Sequence, residues 1–105
     1  MKSLIVNIFF MLNLYMKTGC PYCLRVLEAN KTINAPIQLL TISGNQELRG
    51  ELIEKGGKAQ APYLEDTDRG VSMYESLDII DYLKEHYGNG VEVKVSHVAN
   101  VCPID

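Results

Sequence analysis

The sequence predicts an α/β fold in which a four-stranded mixed sheet is flanked by helices, in the order βαβαββα. Short apolar runs alternate with stretches of helical periodicity between residues 9 and 88, a pattern typical of strands joined by helical crossovers. A polar DTDRG turn at residues 66–70 separates two short strand-like segments, which indicates an antiparallel hairpin. The 105 residues suffice for one domain with an ordinary hydrophobic core.

The first half of the domain is expected to contain two strands and two helices. The apolar run at residues 9–16 predicts a central strand covered on both faces. Helix-forming residues fill 21–31, with a proline in the first turn, where proline is tolerated. Residues 36–42, PIQLLTI, predict a second strand, and Asn45 predicts the N-cap of a helix over residues 46–55. Strands joined through a helix in this way are parallel, with a right-handed crossover.

The second half predicts a hairpin followed by a final helix. The hairpin strands are expected at residues 63–65 and 71–74. Ser76 is expected to cap the last helix, in which apolar residues recur at three-residue steps. Gly88 is expected to close this helix.

The two ends of the chain are interpreted as an N-terminal extension at residues 1–8 and a C-terminal tail at residues 89–105, around a domain at 9–88. The chain starts with a lysine and an apolar run, as signal peptides do. That run is shorter than the roughly 20 apolar residues that span a bilayer. Two asparagines interrupt it and no small-residue cleavage site follows. A strand after a short extension is therefore preferred, and residues 91–105 fit either a short extra strand or a tail.

The net charge and the number of cysteines limit the classes of binding partner and the cellular compartment that are expected. A formal net charge of −3, with no lysine or arginine cluster, argues against a nucleic-acid partner. Three cysteines are too few for a secreted disulfide scaffold. A reducing compartment fits better, by default the cytoplasm, and we expect a monomer without a membrane partner.

The segment YMKTGCPYCLRV contains the main candidate for chemistry, the pair Cys20 and Cys23. Cys20 is expected where a strand ends and a helix begins, next to the positive end of the helix dipole. This position and the nearby Lys17 favour the thiolate, the nucleophile of disulfide exchange. Cys20 is therefore expected to attack, and the more buried Cys23 to act as the resolving thiol. Pro21 supplies no N–H to the thiolate.

Two other interpretations of the cysteine pair compete with redox exchange. A zinc site needs further ligands at matching spacing, and the chain offers only Cys102, His86 and His97, which are scattered. A structural disulfide across two residues closes almost no loop and stabilises little. Redox exchange is preferred and no metal is expected. Cys102 is interpreted as a spectator in a mobile tail, with a regulatory or resolving thiol as the alternative.

The stretch YMKTGCPYC resembles the active-site segment of dithiol glutaredoxins, which have a Cys-Pro-Tyr-Cys motif and a lysine three residues before the first cysteine. The resemblance implies a thioredoxin-like fold and the glutathione-dependent reduction of disulfides. It also implies that Pro62 is a cis-proline opposite the cysteine pair, since X–Pro is the linkage where cis is accessible. The Ala61 backbone would then pair with the glutathione cysteine as an added strand does. An ordinary trans proline in an edge strand is the alternative.

The segment MYESLDII departs from the glutaredoxin pattern and resembles the Glu-Ser motif of glutathione S-transferase N-terminal domains. This resemblance implies that Glu75 binds the ammonium of the γ-glutamyl group. Ser76 would bind the γ-glutamyl carboxylate at a helix N-terminus. The alternative is that Ser76 only caps the helix and that Glu75 is only an acid favoured by the helix dipole.

The other end of glutathione has its own candidate residues. Lys17 is the natural partner for the glycine carboxylate, with Gln60 and Lys58 as weaker candidates. Tyr22 is expected to flank glutathione, with an exposed residue of no role as the alternative. Arg25 is expected to be a solvated surface residue, with the attraction of anionic ligands as the alternative.

The leading function is that of a glutathione-dependent thiol–disulfide oxidoreductase that reduces protein disulfides and glutathione mixed disulfides. One alternative is an iron–sulfur glutaredoxin, which Pro21 and Cys23 disfavour because such proteins generally have a single cysteine followed by glycine. The other is a glutathione transferase-like protein. A transferase needs a further helical domain, and 17 residues follow Gly88.

Overall fold

The computed structural model describes residues 12–88 and 102–104, which form a mixed α/β domain. In chain order the elements are β1 (Leu12–Met16), α1 (Pro21–Ile33), β2 (Ile37–Thr41), α2 (Gln46–Gly56), β3 (Gln60–Ala61), β4 (Tyr63–Asp66), β5 (Val71–Tyr74), α3 (Ser76–Tyr87) and β6 (Cys102–Pro103). None of these helices is long and apolar enough to cross a membrane.

The main sheet has the strand order β2-β1-β4-β5. Strand β1 pairs in parallel with β2, whereas β4 pairs antiparallel with both β1 and β5. The predicted four-stranded mixed sheet and the order βαβαββα are therefore confirmed. A second sheet contains two short strands, β3 and β6. An extra strand within residues 91–105 was one of the two alternatives for that segment, whereas β3 was not predicted.

Two hydrophobic clusters lie on opposite faces of the main sheet. On one face α1 and α3 pack against β1 and β4, with Val26 and Ile79 among the fully buried side chains. On the other face Leu52 of α2 packs with Tyr15 and Tyr63. Because the side chains of a strand alternate between the faces of a sheet, each strand supplies residues to both clusters.

The helix ends follow the sequence in most places. The Asn45 side chain accepts a hydrogen bond of 3.0 Å from the backbone N–H of Leu48, which confirms the predicted N-cap. Gly57 ends α2 in a left-handed conformation with φ 84°. The prediction that Ser76 caps α3 was wrong. Glu75 holds the N-cap position, and its carbonyl accepts the first helical hydrogen bond, from Ile79.

Some predicted features lie outside the described residues. These are the extension at residues 1–8, the start of the first strand at residues 9–11, and residues 89–101 of the tail.

A buried carboxylate ties the β4–β5 hairpin to α3. Asp66 is fully buried, and it accepts hydrogen bonds from Tyr82 Oη (2.5 Å), Arg69 Nη1 (3.0 Å), Tyr87 Oη (3.2 Å) and the Asp68 backbone N–H (3.1 Å). Burial by itself raises the pKa of the Asp66 carboxyl, but the hydrogen bonds from Tyr82 and Arg69 outweigh it and hold this pKa below its ordinary value. The ionised form therefore stabilises the fold.

Asp66→Asn should lower the free energy of unfolding at pH 7 by about 2 kcal/mol, because it weakens the charge-assisted hydrogen bonds and leaves buried donors poorly paired. The folded-state pKa lies below the unfolded value of about 3.9. The carboxylate's contribution is thus complete above that pH and is lost as the pH falls through the folded-state pKa. Urea unfolding at pH 7 and pH 3 measures both effects.

The exposed Asp68, in the same turn, provides the matched control variant Asp68→Asn. A gap between wild type and Asp66→Asn that is as wide at pH 3 as at pH 7 would contradict the assignment.

Candidate active site

The strand register aligns three tyrosines in a row across the main sheet. Tyr15 of β1 is opposite Tyr63 of β4, and Tyr63 is opposite Tyr74 of β5. Their rings are in contact, with centroids 5.7 Å apart for the first pair and 4.7 Å for the second. This row marks the edge of the sheet at which β1 and β5 end and β4 begins.

The residues just beyond this row therefore meet at one edge of the sheet. The chain leaves β1 into Lys17, enters β4 from Pro62 and leaves β5 into Glu75. The loop from Lys17 leads directly to Cys20 at the start of α1. Most of the residues predicted to bind glutathione are thus placed at the edge that also holds the cysteine motif.

Cys20 occupies the N-cap position of α1, with extended backbone angles (φ −77°, ψ 118°) and Pro21 as the first helical residue. Its backbone N–H donates to the Lys17 carbonyl at 3.2 Å, and its carbonyl accepts from Leu24 at 3.0 Å. The predicted position between strand and helix is confirmed. A sulfur here lies at the end of the helix where backbone N–H groups lack intrahelical partners.

Cys20 forms a disulfide with Cys102, 82 residues away, and their Cα atoms are 6.2 Å apart. The interpretation of Cys102 as a spectator in a mobile tail was wrong, because this residue belongs to β6, which pairs with β3. Cys20 is only 2% exposed in this arrangement.

Cys23 is a free thiol and is fully buried. The Lys17 backbone N–H donates a hydrogen bond of 3.4 Å to the Cys23 sulfur. Burial raises the pKa of the Cys23 thiol, and this hydrogen bond only partly opposes the rise. The disulfide of the structure therefore joins Cys20 to Cys102 and not to Cys23, and the resolving role of Cys23 stays a prediction.

The Ala61–Pro62 peptide bond is cis, as predicted. Ala61 precedes it in β3 and is opposite Cys102 in the antiparallel pairing of β3 with β6, while Gln60 is opposite Pro103. The backbone that was expected to pair with an added strand from glutathione thus pairs with a strand of the same chain.

Lys17 takes part in the same contact. Its ammonium donates a hydrogen bond of 2.9 Å to the Pro103 carbonyl. On the other side of β6, the Ile104 N–H donates to the Ala59 carbonyl at 3.1 Å. These two bonds hold the segment from Cys102 to Ile104 between the β1–α1 loop and the chain that enters β3.

Glu75 and Ser76 form the turn into α3. Glu75 has φ 72° and ψ 116°, a conformation with positive φ that is strained for a residue other than glycine and is often kept at functional sites. Ser76 is fully buried in the first turn of α3. The helix N-terminus favours anions here, and the role of these two residues in binding stays a prediction.

Tyr22 and Arg25 lie together on α1, and both are half-buried. The Arg25 guanidinium carbon is 5.3 Å from the centroid of the Tyr22 ring, within range of a cation–π interaction. Nη1 of Arg25 is buried without a hydrogen-bond partner among the described residues. Arg25 is therefore only partly solvated, in contrast to the solvated surface residue that was expected.

A cleft of about 190 Å³ adjoins Lys17 and Ile104. It is lined by Lys17, Ile42, Ser43, Gly44, Asn45, Gln46, Arg49 and Ile104. Ser43 fixes the loop beside it, because its hydroxyl accepts a hydrogen bond of 2.9 Å from the Thr18 N–H. Ser43 and Arg49 were not predicted from the sequence. The parallel pairing of β1 and β2 could have indicated Ser43, since it brings the ends of both strands to one edge.

The part of the chain that the structure describes contains no group of three or more histidine, cysteine, aspartate or glutamate side chains placed to hold a metal ion. His97, one of the ligands considered from the sequence, lies outside that part.

Residues 14–90 match the sequence model of the family described as "Glutathione S-transferase, N-terminal domain". No curated protein matches the chain. Among solved structures, a delta-class glutathione transferase of Nilaparvata lugens is 30% identical, with a TM-score of 0.61 over 73% of this chain and 36% of the transferase. A glutathione S-transferase of the Antarctic clam Laternula elliptica is 27% identical, with a TM-score of 0.58 over 72% of this chain and 35% of the clam protein.

A third structure adds support for the fold. A glutathione transferase homologue of Sulfitobacter, solved with bound glutathione, is 20% identical, with a TM-score of 0.61 over 75% of this chain and 38% of that protein. The chain thus spans under two fifths of the length of these three proteins. The family match begins within β1, at residue 14, and continues past the end of α3. The chain has the thioredoxin-like fold of these proteins and belongs to the family of glutathione S-transferase N-terminal domains.

Proposed function

We propose that this protein is a glutathione-dependent thiol–disulfide oxidoreductase, with Cys20 as the attacking thiol. Its substrates would be glutathione mixed disulfides and protein disulfides. The main support for the proposal is the disulfide between Cys20 and Cys102. Cys102 lies on a strand that pairs with Ala61, the residue before the cis bond to Pro62. Cys20 is thus in place to exchange with a sulfur presented on a strand added at β3.

Two positive features support a thiolate at Cys20. The sulfur belongs to the N-cap residue of α1, where the helix dipole favours negative charge. Lys17 lies three residues earlier, and its ammonium contacts the residue next to Cys102. Cations and helix N-termini both favour the thiolate form, which is the reactive form in disulfide exchange.

The proposed cycle with a glutathione mixed disulfide has two exchange steps. In the first, the Cys20 thiolate attacks the glutathione sulfur, the substrate thiol leaves, and Cys20 carries glutathione. In the second, the thiolate of another glutathione attacks the same glutathione sulfur, which forms oxidised glutathione and returns Cys20 as a thiolate. For a protein disulfide a second thiol of the chain completes the exchange, and the sequence prediction names Cys23 for this step.

The sheet edge that holds Cys20 is the proposed glutathione site. The Ala61 backbone and Gln60 would pair with the cysteine of glutathione, and Lys17 would bind its glycine carboxylate. Tyr22 on α1 would flank the ligand. Glu75 and Ser76 would hold the γ-glutamyl group at the N-terminus of α3. Membership of a family named for glutathione supports this part of the proposal.

A second candidate is glutathione transfer to an electrophile, which is favoured by the 30% identity with a delta-class glutathione transferase. The chain spans 36% of that protein, so such an activity would belong to an assembly larger than the described domain. Conjugation of glutathione to a chlorodinitrobenzene, measured beside mixed-disulfide reduction on the same preparation, separates the two candidates. Conjugation without disulfide reduction would replace the first proposal by the second.

The proposal includes a monomer that works in the cytoplasm on disulfide-bearing or glutathionylated proteins. Its cycle consumes reduced glutathione, which a reducing compartment supplies.

Cys20→Ser should reduce the glutathione-dependent reduction of a small mixed disulfide to the uncatalysed rate, because serine is not a nucleophile in this exchange. Cys23→Ser should keep most of this activity, because the two exchange steps need only Cys20 and glutathione. The rate is measured as oxidised glutathione formed in a coupled reductase assay. An equal loss in both variants would contradict the assignment of Cys20 as the attacking thiol.

Glu75→Gln should raise the KM for glutathione about tenfold and change kcat little, because a charge-assisted hydrogen bond contributes about 1.5–3 kcal/mol. Steady-state kinetics at varied glutathione concentration measure both constants. The matched control is Glu85→Gln on the same helix, at an exposed position far from the helix N-terminus. An unchanged KM in Glu75→Gln would show that this residue does not bind glutathione.

A further inference from the structure

We propose that Cys102 is the resolving thiol for Cys20, in place of Cys23, and that the segment Cys102–Ile104 competes with glutathione for the edge of β3. The inference rests on the proposed function, because it assigns the second thiol of that cycle. It makes the Cys20–Cys102 disulfide a working intermediate of the protein.

Cys102 is presented to Cys20 on a strand that is added to β3. Strand β6 adds antiparallel to β3, with Cys102 opposite Ala61, immediately before the cis bond to Pro62. Main-chain pairing at a free strand is a general mode of peptide recognition. Cys102 therefore occupies the place proposed for the cysteine of glutathione, and its sulfur is bonded to the sulfur of Cys20.

The contacts of the segment Cys102–Ile104 repeat those proposed for glutathione. Lys17, proposed for the glycine carboxylate, donates at 2.9 Å to the Pro103 carbonyl. Gln60 is opposite Pro103 in the register. The segment and glutathione thus use the same groups, and only one of them can occupy the site at a time.

Contacts on both sides of Pro103 hold the segment in place. Ile104 is 9% exposed and belongs to the same hydrophobic cluster as Cys20, Cys23 and Ala61. Its N–H donates to the Ala59 carbonyl at 3.1 Å. The residues around Cys102 make their own contacts. These contacts, and not the covalent bond alone, place the Cys102 thiol beside Cys20.

The competing thiol, that of Cys23, is less accessible than that of Cys102. Cys23 is fully buried in the same cluster, and its sulfur accepts a hydrogen bond from the Lys17 backbone N–H. Burial raises the pKa of this thiol, and a neutral thiol is a poor attacking group. Cys102 is half-buried and sits on a strand at the edge of the domain.

The proposed exchange balances in atoms and electrons. The Cys102 thiolate attacks the Cys20 sulfur of a Cys20–glutathione or Cys20–substrate disulfide, the Cys20–Cys102 bond forms, and the leaving thiolate takes up the proton that Cys102 released. A glutathione thiolate then attacks the Cys102 sulfur and frees Cys20. A second glutathione attacks the glutathione sulfur on Cys102, which yields oxidised glutathione and the Cys102 thiol. Two glutathione molecules are oxidised as one disulfide is reduced.

The test follows glutathione on the protein. Fully reduced wild type, Cys102→Ser and Cys23→Ser are each mixed with oxidised glutathione, quenched with an alkylating agent at increasing times and analysed by intact mass and peptide mapping. Wild type and Cys23→Ser should gain glutathione transiently and lose it as the Cys20–Cys102 disulfide appears. Cys102→Ser should retain glutathione on Cys20.

Two results would overturn the inference. One is a stable glutathione adduct on wild type that persists as long as the adduct on Cys102→Ser. The other is a mapped disulfide between Cys20 and Cys23. Thermal unfolding of the reduced variants is the control that tests whether the serine substitutions leave the fold intact.

A further arm separates this inference from the proposed function and from a purely structural disulfide. The oxidised protein is incubated with reduced glutathione under native conditions, and the inference predicts that the Cys20–Cys102 bond opens. A bond that glutathione does not open in the folded protein overturns the inference, while mixed-disulfide reduction by Cys102→Ser would still support the proposed function. If Cys20 takes up no glutathione in Cys102→Ser, the proposed function itself fails.

Discussion

The candidate site depends on the strand register that forms the tyrosine row, because this register determines which residues meet at the edge of the sheet beyond the row. Tyr15, Tyr63 and Tyr74 are in register across three strands, so the segments that follow β1, precede β4 and follow β5 must meet. A register shift of one residue would turn every side chain of a strand to the opposite face. The two hydrophobic clusters on the two faces therefore fix the position of the cysteine motif relative to Pro62 and Glu75.

Under the proposed function, this edge would provide the thiol chemistry of a transferase-family domain. The fold supplies a helix N-terminus at Cys20 and a short strand, β3, that is free to pair on one side. This chain also has the Cys-Pro-Tyr-Cys motif at the helix start and a third cysteine on β6, the strand that pairs with β3. The motif indicates disulfide exchange, whereas the Glu-Ser turn and the family match indicate glutathione.

The sequence predicted the features that depend on local signals. The Asn45 cap, the start of α1 at Pro21 and the hairpin follow from capping, proline and turn chemistry. The resemblance to glutaredoxins led correctly to the cis bond at Pro62. The pairing of Cys20 with Cys102 was not predicted, because it spans 82 residues and cysteine connectivity cannot be deduced from sequence. The Ser76 cap was wrong because Glu75 adopts a conformation with positive φ that the sequence does not reveal.

Together, the two proposals predict that one site at this edge accepts either glutathione or the segment Cys102–Ile104. An NMR titration with S-methylglutathione tests it directly, because this analogue cannot exchange disulfides. With the reduced protein, the account predicts amide shifts that cluster at Lys17, Ala61 and Ser76. It also predicts that these shifts are lost in the protein with the Cys20–Cys102 disulfide. Equal shifts in both redox forms, or shifts remote from this edge, would contradict the account.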